Sequence, residues 1–136
     1  MIFNILAIIM VNLTKQFIKF CLVGLTNLAV QLFFYFILTR FLHLYYIIAA
    51  VLAFIVAVTW SFYINKKWTF KRTDDDHKDQ YIKFFIANSL IAVISIGLLS
   101  LFVEKFGVHD LLAQFLASVI CAIINFLINR FWTFKD

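Results

Sequence analysis

Four long stretches without a charged residue dominate this sequence and limit what it can fold into. The stretches are Phe20–Thr39, Leu44–Ile64, Phe84–Val103 and Leu111–Ile128. Each is close to the ~20 residues that an α-helix needs to cross a bilayer core of ~30 Å. None shows the polar face of a soluble amphipathic helix or the alternating polarity of a barrel strand. Because a spanning segment must satisfy its own backbone hydrogen bonds, the sequence predicts an all-α integral membrane protein with four transmembrane helices.

Composition supports the same class. Hydrophobic residues make up 65% of the chain and charged residues 14%, whereas a soluble domain carries roughly 25% charged residues. The net charge of +5 is distributed around helix ends rather than in one solvated patch, so nucleic acid is not an expected partner. Cys21 and Cys121 fall inside predicted spans, where we expect buried free thiols.

The basic residues predict the topology. Of the 12 Lys and Arg residues, only Arg40 and Lys105 lie in the short turns within a helix pair. The others lie in the N-terminal flank, the central loop or the C-terminal end: Lys15, Lys19, Lys66, Lys67, Lys71, Arg72, Lys78, Lys83, Arg130 and Lys135. Positive residues are retained in the cytoplasm. We therefore expect a multi-pass protein of the cell membrane with both termini cytoplasmic.

The first 14 residues are apolar but differ from a secretory signal. They lack a basic n-region, and no small-residue cleavage site separates them from the first span. We expect residues 1–14 to form a short interfacial helix or a poorly ordered extension. The transmembrane domain then covers residues 15–136.

The chain contains an internal repeat. Residues 16–71 and 80–135 align without gaps at an offset of 64, with 14 identities in 56 positions. The identities include a shared QxIKF start, beginning at Gln16 and Gln80, and a shared WTFK ending, beginning at Trp68 and Trp132. Because each repeat crosses the membrane twice, the two repeats point the same way. The predicted architecture is a four-helix bundle of two tandem parallel two-helix repeats, and a pathway along the axis between them is a hypothesis.

Small residues follow one another at four-residue steps on the second helix of each repeat. They are Ala49, Ala53, Ala57 and Ser61 in the first repeat, and Ala113, Ala117, Cys121 and Asn125 in the second. Such stripes let helix backbones approach closely. We expect the second and fourth helices to pack tightly, and packing against each other is one arrangement. The alternative is that alanine is simply common in membrane helices.

Each repeat ends in the same pattern, N-[KR]-x-W-T-F. The aromatic residues predict anchors at the membrane interface: Trp68, Phe70, Trp132 and Phe134. The amides and cations predict a site for a lipid phosphate at the inner leaflet: Asn65, Lys66, Lys67, Asn129 and Arg130. Positive-inside anchoring explains the Trp residues and some of the cations equally well, but not the Asn that precedes the cation in both copies.

Neutral amides occur inside the predicted spans, where polar groups are costly and often functional. They are Asn27, Gln31, Asn88, Gln114 and Asn125. These side chains either hydrogen-bond neighbouring helices or line a polar route for a sugar headgroup. The residues alone leave both interpretations open.

No pattern predicts catalysis. No Asp or Glu lies in a span, which disfavours a proton-coupled cation exporter. The run Asp74, Asp75 and Asp76 resembles the metal-binding aspartates of glycosyl and prenyl transferases, but a loop this short cannot fold a nucleotide-sugar domain. His43, His77 and His109 lack metal-ligand spacing. We expect no catalytic residue, metal or cofactor, and a protein that is not an enzyme.

The segments QFIKFCLVGLTN, SFYINKKWTF and NFLINRFWTF together resemble the GtrA-like family, from about Lys15 to the C-terminus. The second copy departs at Asn88, which stands where Gly24 stands in the first. The resemblance implies a small membrane protein that flips a polyprenyl-phosphate-linked monosaccharide for cell-surface polysaccharide synthesis, working with a separate glycosyltransferase. It also makes an alternative plausible, a non-transporting membrane partner that recruits the transferase. A homo-oligomer remains open, because four helices enclose little interior.

Overall fold

The structure is a computed structural model that describes residues 1–135, and the regular elements of this part are all helical. The α-helices are α1 (Ile2–Arg40), α2 (Tyr46–Ile64), α3 (His77–Ser100) and α4 (Asp110–Ile128). Three π-helical turns continue them: π1 (Asn65–Thr69) after α2, π2 (Leu101–Lys105) after α3, and π3 (Asn129–Thr133) after α4. All four helices are long and apolar enough to cross a membrane. The predicted all-α class and the four spans are confirmed.

The chain divides into two compact units, Met1–Asp74 and Asp75–Asp136, and the division falls in the loop between the two predicted repeats. In the first unit α1 packs against α2, and in the second α3 packs against α4. Each unit is thus a helical hairpin. Its turn end joins the two helices, and its motif end carries π1 or π3.

The turn ends of the two hairpins share an unusual backbone geometry. His43 has φ 55° and Gly107, at the equivalent position, has φ 64°. In both turns the next N–H donates 3.0 Å to a carbonyl six residues earlier, from Leu44 to Leu38 and from Val108 to Phe102. The hydrogen bond spans one residue more than in the common Schellman ending of a helix. The left-handed conformation before the donor is one that glycine adopts without side-chain strain and histidine does not. The structural repeat therefore extends to turns that share no sequence identity.

The stripe of small residues is the buried face of each second helix. Ala49, Ala53, Ala57 and Ser61 are buried in the first unit, and Ala113, Ala117 and Cys121 in the second. Since α1 is the long helix that α2 contacts within its unit, and α3 is the one that α4 contacts, the stripes bring the helices of each hairpin together. Packing of α2 against α4 stays a prediction. Cys21 and Cys121 are free thiols.

The hairpins expose large apolar side chains along their spans. Examples lie on all four helices: Leu25, Leu32, Phe33, Val51, Val93, Ile96, Leu112 and Phe115. In water such a surface would aggregate, whereas in a bilayer it faces hydrocarbon. The exposed face is therefore consistent with helices that lie in lipid.

The structure corrects the prediction for residues 1–14. They are neither a separate interfacial helix nor an irregular extension, because α1 runs without interruption from Ile2 to Arg40. Its 39 residues extend about 58 Å at 1.5 Å per residue. The reason is local: this segment contains no Pro or Gly and is rich in Ile, Leu and Met, so nothing breaks the backbone hydrogen bonding before the first span.

Candidate functional site

The two N-[KR]-x-W-T-F segments, here called the first motif (Asn65–Phe70) and the second motif (Asn129–Phe134), both fold as a π-turn. Phe70 N–H donates to Asn65 C=O and Phe134 N–H to Asn129 C=O, each at 2.9 Å. A π-turn inserts one extra residue into a helical turn and occurs often at functional sites. Sequence analysis identified the residues of both motifs but did not predict this backbone.

The residues that are identical in the two repeats contact each other at the motif ends. In the first unit the ammonium of Lys19 lies 5.3 Å from the ring centroid of Trp68, and in the second unit that of Lys83 lies 5.7 Å from Trp132. Next to each cation, the rings of Phe20 and Phe70 are 6.3 Å apart, and those of Phe84 and Phe134 are 6.0 Å apart. The shared QxIKF and WTFK segments are therefore packing partners.

This packing corrects part of the predicted interface. Trp68 and Trp132 are exposed, at 44% and 42% of their surface, as interface anchors would be. Phe70 and Phe134 are not interface anchors, because they are only 7% and 2% exposed. Each ring packs instead on the Phe of the neighbouring helix, so it stabilises the hairpin from inside.

In the first motif the Asn and Thr side chains are buried and hydrogen-bonded to each other. Asn65, Lys66 and Thr69 are all buried, and Lys66 is only 1% exposed. The Thr69 hydroxyl donates to Asn65 Oδ1 at 2.7 Å. Lys67, the remaining predicted phosphate ligand of this motif, is exposed.

A carboxylate from the central loop lies in the electrostatic environment of the first motif. The chain leaves π1 through Lys71, which has φ 50°, and Arg72 N–H donates to Lys66 C=O at 2.8 Å. The Arg72 side chain then binds Asp74 through Nε at 3.2 Å and Nη2 at 3.3 Å. This hydrogen bonding holds the pKa of Asp74 below its usual range, and the positive charges of Arg72 and Lys66 act in the same direction.

The second motif is bonded differently. Asn129 Nδ2 donates to Asn125 C=O at 2.9 Å and to Asn125 Oδ1 at 2.8 Å. Asn125 Nδ2 in turn donates to Asn88 Oδ1 at 3.5 Å, and Asn88 Nδ2 donates to the Phe84 carbonyl at 2.9 Å. A chain of amides therefore runs from π3 into the membrane-spanning part of α3 and α4.

Three polar atoms of the second motif are buried but make no hydrogen bond within residues 1–135. They are Asn129 Oδ1, Thr133 Oγ1 and Arg130 Nε. Arg130 is partly exposed, and its guanidinium lies 5.5 Å from the Phe131 ring. Since a buried polar group without a partner costs about 1–3 kcal/mol, these atoms mark the second motif as a place where a ligand could add hydrogen bonds.

The structure separates the predicted polar-pathway residues into groups. Asn88 and Asn125 come together and join the second motif. Gln114 is exposed and donates to Ser118 on its own helix, and it lies about 16 Å along α4 from Asn125 at 1.5 Å per residue. Asn27 and Gln31 lie one turn apart on α1, both partly buried, and Asn27 Oδ1 has no hydrogen-bond partner within residues 1–135.

Sequence reasoning missed the roles of four residues. The hydroxyl of Thr69 is hydrogen-bonded, whereas that of Thr133 has no hydrogen-bond partner within residues 1–135. Lys19 and Lys83 place their ammonium groups over the Trp68 and Trp132 rings. All four are identical in the repeat, which was the available signal. In the described part of the chain no group of three or more His, Cys, Asp or Glu side chains is arranged to hold a metal ion.

Hairpins of lipid-exposed apolar helices, with cations and Trp rings at the motif ends, define a multi-pass α-helical membrane protein. The chain belongs to the GtrA/DPMS transmembrane-domain family, whose model matches residues 19–134. This confirms the resemblance inferred from the repeated segments.

Two bacterial proteins are similar over most of the chain. The uncharacterized membrane protein YngA of Bacillus subtilis (strain 168) is 30% identical over 120 residues, which cover 87% of this chain and 78% of YngA. The uncharacterized membrane protein YwcD of the same organism is 23% identical over 119 residues, covering 85% of this chain and 94% of YwcD. Both comparisons support a membrane protein of this family.

Proposed function

We propose that this chain translocates a polyprenyl-phosphate-linked monosaccharide across the cytoplasmic membrane for cell-surface polysaccharide synthesis. The observation that carries the proposal is the motif end of the hairpins, where a cation and buried Asn and Thr side chains lie in one π-turn at the end of an apolar helix. A phosphate needs cationic and hydroxyl donors, and a sugar needs neutral donors and acceptors. Transport of this kind makes and breaks no covalent bond, so the protein is not an enzyme under this proposal.

The distribution of polar and apolar groups supports a lipid-linked substrate. The spans expose large apolar side chains, so a prenyl chain can remain in lipid beside them. The headgroup is the part that is costly to move through hydrocarbon. The amide chain from Asn129 through Asn125 to Asn88 offers polar contacts that extend from the motif end into the span, where they lower that cost.

The proposed transport is downhill. All Asp and Glu residues lie outside the four charge-free stretches, so no membrane-embedded carboxylate is available to exchange protons with a substrate. The gradient would come from a glycosyltransferase that consumes the lipid-linked sugar on the outer face. That transferase is the expected functional partner.

Reconstitution tests the proposal. The purified protein is placed in liposomes with a fluorescent polyprenyl-phosphate monosaccharide, and a membrane-impermeant reductant bleaches the label in the outer leaflet. We expect protein-dependent bleaching of the inner-leaflet label. The matched control is Arg40→Met, which removes a cation at the turn end. Arg130→Met should slow the movement and Arg40→Met should not. Absence of protein-dependent movement at any protein density would contradict transport.

The start of α1 favours a second candidate, a non-transporting partner of a polyprenyl-phosphate glycosyltransferase. Ile2, Phe3 and Met10 are strongly exposed and precede Lys15, the first basic residue of the chain. This apolar segment adds length that α1 does not need for one span. If liposomes show no lipid movement but the transferase co-purifies only when residues 2–13 are present, the anchoring role replaces transport.

A further inference from the structure

The two motifs differ in hydrogen bonding, and they also differ in the residue four positions before the Asn that both motifs share. In the first unit this position is Ser61, whose hydroxyl donates to the Val58 carbonyl of its own helix at 3.2 Å. In the second unit it is Asn125, which accepts both hydrogen bonds from the Asn129 amide. The serine leaves Asn65 free to accept from Thr69, whereas Asn125 holds the amide of Asn129.

As a consequence the first motif is closed, which means that its Thr and Asn side chains are hydrogen-bonded to each other. The second motif is open, which means that the equivalent side chains are not. Thr69 and Asn65 satisfy each other at 2.7 Å. The equivalent atoms, Thr133 Oγ1 and Asn129 Oδ1, are buried and have no hydrogen-bond partner within residues 1–135. Asn129 is 0% exposed and Thr133 is 2% exposed, so water does not compensate for the missing bonds as it would at a surface. The same sequence pattern therefore forms an internal side-chain hydrogen bond in the first unit. In the second unit it leaves a donor and an acceptor without a partner within residues 1–135.

The cations of the two motifs, Lys66 and Arg130, also differ in their surroundings. Lys66 is buried, and the loop that follows it brings the Asp74 carboxylate into its electrostatic field. The first motif thus has an internal anion nearby. Arg130 is partly exposed and makes no ion pair within residues 1–135, and its guanidinium lies beside the Phe131 ring. No carboxylate within residues 1–135 therefore neutralises its charge, in contrast to the first motif.

We propose that the second motif alone holds the substrate headgroup, whereas the first motif is structural. Arg130 and the Thr133 hydroxyl donate to the phosphate, and Asn129 Oδ1 accepts from a sugar hydroxyl. Arg130, the partly exposed member, makes the first contact with the headgroup. This inference rests on the proposed function for the identity of the lipid, and it adds that the duplicated motif works asymmetrically.

Asn125 and Asn88 act as positioning residues while the headgroup is bound at the second motif, because Asn125 holds the amide of Asn129 and Asn88 accepts from Asn125. They occupy the positions of Ser61 and Gly24 in the first repeat. Replacing them by the residues of the first repeat should allow Thr133 to donate to Asn129 and close the second motif. The departure of the second copy from the first is then what creates the site.

The test measures binding of a radiolabelled polyprenyl phosphate to the full chain in phosphatidylcholine nanodiscs. The matched pair is Thr133→Val and Thr69→Val, which each remove one hydroxyl at equivalent positions. We expect Thr133→Val and Arg130→Met to weaken binding about tenfold or more, as the loss of a charge-assisted hydrogen bond predicts. Thr69→Val should change binding by less than about twofold, because its hydroxyl is already engaged. Asn125→Ser should weaken binding as Thr133→Val does.

Competition identifies the ligand chemistry. Unlabelled polyprenyl phosphate should displace the probe, whereas polyprenol without the phosphate and phosphatidylglycerol at the same mole fraction should not. Displacement by phosphatidylglycerol would show a general anionic-lipid site and overturn the substrate assignment. Equal weakening by Thr69→Val and Thr133→Val, or normal binding in Arg130→Met, would overturn the asymmetry.

The same preparations separate this inference from the proposed function. Lipid movement in liposomes with equal effects of the two Thr variants would contradict the asymmetry and leave transport standing. Binding that depends on Thr133 and Arg130, without lipid movement, would contradict transport and leave the site standing. Thermal unfolding of each variant in detergent shows whether a loss of binding reflects the site or the fold.

Discussion

The hydroxyl of Thr69 donates a 2.7 Å hydrogen bond to Asn65 Oδ1, while the hydroxyl of Thr133, at the equivalent place in the second hairpin, makes no hydrogen bond within residues 1–135. Both threonines are buried. Two segments with the same sequence pattern and the same π-turn thus differ in the side-chain hydrogen bond between their Thr and Asn residues. Stability and binding should therefore respond oppositely to the same substitution in the two motifs.

The stability of the two motifs can be compared directly. Thr69→Val removes a satisfied buried hydrogen bond and should lower the free energy of unfolding by about 1 kcal/mol. Thr133→Val replaces an unsatisfied hydroxyl by a methyl group and should be neutral or slightly stabilising. Reversible unfolding in mixed detergent measures both. A larger loss for Thr133→Val than for Thr69→Val would contradict the hydrogen-bond assignment.

The cation above the Trp ring should stabilise each hairpin. A double-mutant cycle of Lys83→Met and Trp132→Leu should give a coupling energy of about 0.5–1 kcal/mol. Lys83 also forms an ion pair with Asp79 at 3.3 Å, so the cycle is needed to separate the two contacts. The control is Lys78→Met, which removes an exposed cation five residues earlier. A coupling energy of zero would show that the ring contact is incidental.

The small-residue stripes should tolerate little added volume. Ala53 and Ala117 are completely buried between the helices of their hairpins. Ala53→Leu or Ala117→Leu should cost about 1–3 kcal/mol, because the added atoms force the helices apart. Ala92→Leu, at an exposed position of α3, is the matched control. Expression and thermal stability in detergent report the difference, and an unchanged Ala53→Leu protein would argue against close packing.

The membrane orientation can be measured with a single cysteine. In a Cys21→Ser, Cys121→Ser background, a cysteine introduced at Asp76 should react with an impermeant maleimide only after the inner face is exposed. The basic residues on both sides of the central loop, Lys71, Arg72 and Lys78, are the reason for this expectation. A cysteine at His43 in a turn end should react from outside. The reverse pattern of labelling would refute the predicted topology.

Much of the candidate site was predictable, but its internal chemistry was not. The repeat identified Asn65, Lys66, Asn129 and Arg130 from sequence, and the structure places all four in π-turns. The burial and the hydrogen-bond partners of these four residues were not predictable, because they depend on which neighbouring group forms a hydrogen bond with each Asn side chain. Phe70 and Phe134 were assigned to the lipid interface from their type alone. The π-turn places them inside the hairpin instead.

The sequence by itself determined the four spans, the duplication and the family. The spans follow from the summed hydropathy of about 20 neighbouring residues. The duplication and the family follow from residue identities at matching positions. Neither requires knowing which residues are in contact. Only the tertiary structure decided that Lys66 is enclosed and that the Thr133 hydroxyl has no hydrogen-bond partner within residues 1–135. Those outcomes depend on distances of a few tenths of an ångström between side chains that lie four residues apart or on different helices, and hydrogen bonds are sensitive to such differences.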